Sequence, residues 1–120
     1  MKIDIFSLDN KGFHADEVKH CKGILSKCRG LMFSKKRAVL FEFDQERIIR
    51  LHMIGVFFPI DVVVLDHSKR IIQVKKRLRP FEFFSSSDKA RYCIEIPSSW
   101  NLTEHISDSD VLSWSPARKI

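Results

Sequence analysis

The segment Pro59-Ile60-Asp61-Val62-Val63-Val64-Leu65-Asp66 is apolar almost throughout and carries a carboxylate near its start. Ile60 to Leu65, rich in β-branched side chains, reads as a strand buried on both faces, with Pro59 at its entry. Outward from it the apolar residues recur with period two. Asp66-His67-Ser68-Lys69 turns the chain into Arg70 to Leu78, where Ile72, Val74 and Leu78 are expected on one face and Gln73, Lys75 and Arg77 on the other. Upstream, Val39, Phe41 and Phe43 oppose Glu42 and Asp44, and Ile49, Leu51 and Met53 oppose Arg50 and His52. Near the start, Ile3 and Ile5 oppose Lys2 and Asp4, and Asp9-Asn10-Lys11-Gly12 reads as a turn into a strand from Phe13 to Cys21. Downstream, Pro80 ends a strand and Ser85 to Asp88 reads as the longest polar loop. Ala90 to Ile96 then puts Tyr92, Ile94 and Ile96 inward.

Two segments break the pattern. Lys22 to Cys28, followed by Gly30, is a candidate short helix, and Asn101 to Ile106 a helical turn. A last strand is expected at Val111 to Trp114. The spacing predicts a mainly β, single-domain antiparallel sandwich or partly closed barrel of seven to eight short strands, with one or two short helices. The domain spans residues 1–114, and Ser115 to Ile120 form a frayed tail.

The chain of 120 residues is 44% hydrophobic and 30% charged, which excludes disorder and a bundle of membrane-spanning helices. Cys21, Cys28 and Cys93 are an odd set without a CxxC pair, so a disulfide framework is not expected. Without an apolar leader at its start, the sequence is expected to be cytoplasmic. The net charge of +6 is uneven: residues 35–79 hold eleven cations and five acids, while the excess on either side cancels.

In order along the chain stand Arg29-Gly30-Leu31-Met32-Phe33, His52-Met53, Pro59-Ile60-Asp61, Pro80-Phe81 and Tyr92-Cys93-Ile94-Glu95-Ile96-Pro97. This order and spacing resemble the domain of unknown function 192 family over about residues 13–114. The resemblance implies a compact β-rich sandwich or barrel, and no established activity, cofactor or substrate. Where relatives commonly carry an aromatic before the methionine and Asn-Thr after it, this chain has His52 and Ile54-Gly55. Ser98-Ser99 and Ser109 stand where relatives carry glycines, which puts in doubt any pocket built on close backbone approach there.

Arg29, His52, Asp61 and Glu95 each sit inside an apolar block and are expected near one another. A carboxylate there must pair, face water or take up a proton. Arg29 is the expected partner of Asp61 or Glu95, as a structural brace. A ligand cleft or a small enzyme around Arg29, Asp61 and Glu95 is the competing account. His14, His20, Cys21 and Cys28 fit no usual zinc spacing, and two histidines on one face of a strand from Phe13 to Cys21 stand about 20 Å apart. No metal or other cofactor is expected. The sequence carries no GxSxG elbow, glycine-rich phosphate loop or histidine metalloprotease motif. Met32 and Met53 read as core residues.

Lys69 to Arg79 holds six cations and no acid, followed by Phe81, Phe83 and Phe84. With Lys35, Lys36 and Arg37, the residues Lys75, Arg77 and Arg79 are candidates for an anionic partner, a nucleic acid or an acidic protein. The plainer account is a solvated edge strand whose cations resist aggregation, with Phe81 and Phe83 alternating as core residues. The leading functional expectation is a non-enzymatic binding or accessory module.

Overall fold

A computed structural model describes residues 2–9, 12–22, 36–53 and 56–117. The expected helix at 22–28, Arg29, Gly30, Met32 and Lys35 lie outside these, except Lys22, which ends a strand. Seven strands follow in chain order: β1 (Lys2–Ser7), β2 (His14–Lys22), β3 (Val39–His52), β4 (Ile60–Leu65), β5 (Ile71–Leu78), β6 (Phe83–Pro97) and β7 (Leu112–Pro116). Two 3-10 turns, Ser98–Trp100 and Leu102–His105, lie between β6 and β7. The strands form one sheet in the order β5-β4-β6-β3-β2-β1-β7. The fold is mainly β, as the alternation predicts. The sheet is mixed rather than purely antiparallel, because β2 and β3 run parallel, with Lys19 opposite Val39 and Cys21 opposite Phe41. The connection over residues 23–38 is long enough for the crossover that a parallel pair requires.

The sheet curls until its outer strands nearly meet. An isolated bridge joins Arg70 to Val111, and the amides of Ile71 and Leu112 donate across this seam to the carbonyls of Asp110 and Lys69. The result is a barrel closed over a short stretch only. All seven strands contribute to its interior, through residues such as Ile3, Val18, Leu40, Val63, Ile71, Ile94 and Leu112. A second core lies on the other face, around Val39, Phe41, Ile49, Met53, Val62, Val64, Phe84 and Cys93. Strand length explains the second core. The 15 residues of β6 would span roughly 50 Å if straight, and the molecule measures only 34 Å in its longest direction. The paired β3 and β6 therefore bend, with register shifts between Glu42 and Arg47 and between Ile48 and Arg50, and fold back over the outer face of the sheet.

Ile60 to Leu65 is buried at every position, as expected of a strand covered on both faces. Four local expectations are corrected. Ser85 to Asp88 is part of β6 rather than a loop. Ser86 is buried at the irregular register, where its hydroxyl accepts from the Ile49 amide at 2.9 Å and donates to the Asp88 carbonyl at 2.8 Å. In β5, Ile72 and Leu78 join the outer core while Val74 joins the barrel interior. The reason is a pair of register shifts against β4, which break a strict period of two. Phe81 and Phe83 are exposed rather than core. The tail is shorter than expected: β7 runs through Pro116, and the Ala117 amide donates to the Lys2 carbonyl. No helix among the described residues is long and apolar enough to cross a membrane.

Candidate functional site

Asp61 is 4% exposed and faces the barrel-interior side of β4, opposite Ile96. One carboxylate oxygen accepts from the Arg77 amide at 2.9 Å and from the Ser98 hydroxyl at 2.6 Å. The other accepts from the Thr103 hydroxyl at 2.5 Å. Arg77 takes a left-handed backbone with φ of 55°. It stands where the pairing shifts between Ile60 opposite Leu78 and Val62 opposite Lys75, and this turns its amide toward Asp61. Asp61 thereby hydrogen-bonds β5 to the two turns after β6. Among the described residues its partners are a backbone amide and two hydroxyls, and Arg29 lies outside them. Ser98, where relatives carry glycine, supplies one of those hydroxyls. Ser109 holds φ of 78° and donates to the Ile71 carbonyl, so a left-handed turn is kept there without glycine.

Glu95 does not converge with Asp61. It pairs with Val62 on β4 and with Val39 on β3, which places it on the outer-core face, the opposite side of the sheet. It is 7% exposed, and among the described residues its carboxylate receives no hydrogen bond or ion pair. Burial pushes its pKa up to about 7. Two residues along the same face, burial raises the Cys93 thiol well above its ordinary value, and the Glu95 charge adds to that rise. His52 is exposed at the end of β3, opposite Phe83. Of the four residues expected together, Asp61 and Glu95 are thus buried on opposite faces of the sheet, His52 is exposed, and Arg29 lies outside the described residues.

Sequence reasoning missed a third polar cluster. His20 and Glu42 meet at 2.8 Å, with the His20 side chain only 6% exposed. Glu42 stands opposite Tyr92, whose phenol pKa is raised by burial and by Glu42, and lowered by Arg91. The Tyr92 ring meets Trp114 edge-on at 4.9 Å, and the Lys69 ammonium lies 4.2 Å from the centre of the Trp114 ring. The only sequence signal was a polar residue on the Leu40 side of β3, and its partner lies 22 residues away. His14, expected on the same face as His20, is exposed and paired with Asp16 at 3.1 Å. A register shift and a left-handed Glu17 interrupt β2 between the two histidines.

Of the candidate basic residues, the described ones (Lys36, Arg37, Lys75, Arg77 and Arg79) belong to segments toward one end of the sheet. Ile60 pairs with both Pro97 and Leu78, so the start of β4 and the ends of β6 and β5 lie side by side. Val39, at the start of β3, is about 14 Å from β5, three strand spacings away. Lys36 reaches Ser99 at 3.4 Å and stacks over Phe58 at 5.9 Å, while Arg37 is half-buried beside it. Lys75, Lys76, Arg77 and Arg79 are exposed along the edge strand and its exit. Four large apolar side chains stand in solvent on the segments that leave this end: Phe57 (72%), Phe81 (75%), Phe83 (77%) and Trp100 (41%). Apart from Leu8, these are the exposed large hydrophobics among the described residues. The Met53 amide donates to the Glu82 carbonyl, joining the loop before β4 to the turn after β5.

Comparison with known proteins agrees on the fold. A UPF0127 protein of Thermococcus kodakarensis, TK1120, is 29% identical over 113 residues, covering 91% of this chain and 71% of its own length. A UPF0127 protein of Pyrococcus horikoshii, PH1112, is 31% identical over 101 residues, covering 82% and 87%. A crystal structure of a protein of unknown function from Novosphingobium aromaticivorans superposes with a TM-score of 0.77 at 12% identity, over 95% of this chain and 84% of that one. A putative transcription regulator from Sinorhizobium meliloti gives 0.76 at 16% identity, over 94% and 92%. At such identities the structural likeness speaks for the fold alone. Residues 6–114 match the model of DUF192, described as Uncharacterized ACR, COG1430, and the chain belongs to that family.

Proposed function

We propose that this protein is a non-enzymatic binding module, working in the cytoplasm, that presents its aromatic and basic end to an anionic partner. One observation carries the reading: Phe57, Phe81 and Trp100 stand exposed on segments next to the ends of β4, β5 and β6 where Ile60 pairs with Pro97 and Leu78, and β5 carries exposed cations toward that end. A folded domain buries large rings where it can, and a cluster of them left in water beside cations marks an interaction surface. A catalytic cleft is the weaker account. Asp61 is committed to three hydrogen bonds, and Glu95 faces the other side of the sheet. The buried thiol of Cys93 fits the reducing compartment. The test is retention on an immobilised polyanion such as heparin. Wild-type protein should need more salt to elute than a K75Q/K76Q/R79Q variant, which changes exposed side chains only. Equal elution of the two would sink the reading.

A further inference from the structure

Resting on that reading, we propose that the aromatic and basic end takes single-stranded nucleic acid, with bases stacked on Phe81 and Phe83 and phosphates held along β5. Phe81 holds a left-handed backbone with φ of 70°, a conformation that costs a bulky residue free energy, while its ring is 75% exposed. Burial does not offset that cost. Phe83 stands out beside it at 77%, opposite the exposed His52.

The cations are arranged to serve a flexible chain. Lys75, Lys76 and Arg77 follow one another along an edge strand, where no further strand covers them among the described residues. The backbone of Arg77 is fixed by its hydrogen bond to the buried Asp61, so one end of this row is anchored to the fold. Glu82, the acid between the two rings, is engaged by Arg79. The Arg79 amide donates to it at 2.6 Å, and the guanidinium lies 3.8 Å away. Its charge is thereby offset at the place where a phosphate would approach.

Rings flanked by cations suit unstacked bases, because every base has a face to offer and a duplex hides those faces. A bilayer surface fits less well. Insertion of Phe81 and Phe83 would carry the paired Glu82 and Arg79 into the interface, where both lose hydration.

The test is fluorescence anisotropy with dye-labelled oligothymidylate of about twelve nucleotides, within the ~4–16 nucleotide range of such sites. The same strand annealed to its complement, and vesicles of equal phosphatidylserine and phosphatidylcholine, serve as competing probes. The single strand should bind more tightly than the duplex. F81A/F83A, which removes exposed rings, should weaken binding about tenfold or more. K75Q/K76Q should lower the magnitude of the salt slope by roughly 1.4, two phosphate contacts at about 0.7 each. Duplex bound as tightly as single strand overturns this proposal, as does single-strand binding that F81A/F83A leaves unchanged. Vesicle binding without oligonucleotide binding overturns it while leaving the anionic-partner reading in place. Loss of retention on heparin together with no binding to any probe overturns both.

Discussion

Asp61 and Glu95 are buried carboxylates on adjacent strands, one position out of register, and they solve the cost of burial in opposite ways. Asp61 keeps its position by accepting three hydrogen bonds. Glu95 receives none among the described residues, and burial drives it toward the protonated form instead. Both sit in apolar strands of similar composition. What separates them is the parity of the pairing, which sends one toward a bulge and two turns and the other into a core of valines and Cys93.

The comparison breaks most sharply if Asp61 is removed. Asp61→Ala leaves two hydroxyls and an amide without an acceptor, and unfolding in urea should show a loss of about 3–5 kcal/mol. A loss below ~1 kcal/mol would mean that the three bonds do not hold β5 to the rest of the fold.

Glu95 tests the other side through pH. Its folded pKa of about 7 lies above the ordinary 4.5. Below about 4.5 the group is protonated in both states and has no effect on stability. Between about 4.5 and 7 the unfolded chain releases a proton that the folded chain keeps, so stability falls as pH rises, and above 7 the penalty is constant. Glu95→Gln should therefore match wild type near pH 4 and exceed it by roughly 3 kcal/mol near pH 8. Parallel stability curves across that range would show that Glu95 is not desolvated.

Glu42 gives the intermediate case, half-buried with one partner. Glu42→Gln weakens the contact with His20 and should cost about 0.5–1.5 kcal/mol in the same urea series. A cost as large as that at Asp61 would place the His20 cluster among the principal braces of the fold.

Much of the architecture was legible in the alternation. The strand at Ile60 to Leu65 declared itself by apolar residues at every position, and Tyr92, Ile94 and Ile96 point inward as their spacing indicated. The irregularities were not legible. The shifts in β5 fall among Ile71, Ile72 and a run of cations, none of which announces a bulge, and they move Val74 to the other face. Ser85 to Asp88 looked like a loop because a polar run inside a bent strand has the same composition as a turn. Phe81 and Phe83 looked like core because alternation records which residues share a face, not which face is wet.

At the candidate site, the burial of Asp61 and Glu95 could be read from their apolar neighbours. Their separation onto opposite faces depended on a register between strands that lie more than 30 residues apart. The contribution of Ser98 and Thr103 could not be read at all, since small hydroxyl residues after a strand are common and carry no mark of a buried acceptor.

The seam at Arg70 and Val111 gives the molecule an uneven lifetime. A fully closed barrel has no edge from which to fray, whereas this sheet keeps two, held together over a few backbone bonds. Breathing should begin there and release β5, whose one ladder partner among the described residues is β4, while the long β3–β6 ladder stays shut. The Asp61 hydrogen bonds at the far end of β5 then act as a clasp on that motion. The row of cations rides on the strand that opens first, yet is fastened at Arg77 to the interior of the protein.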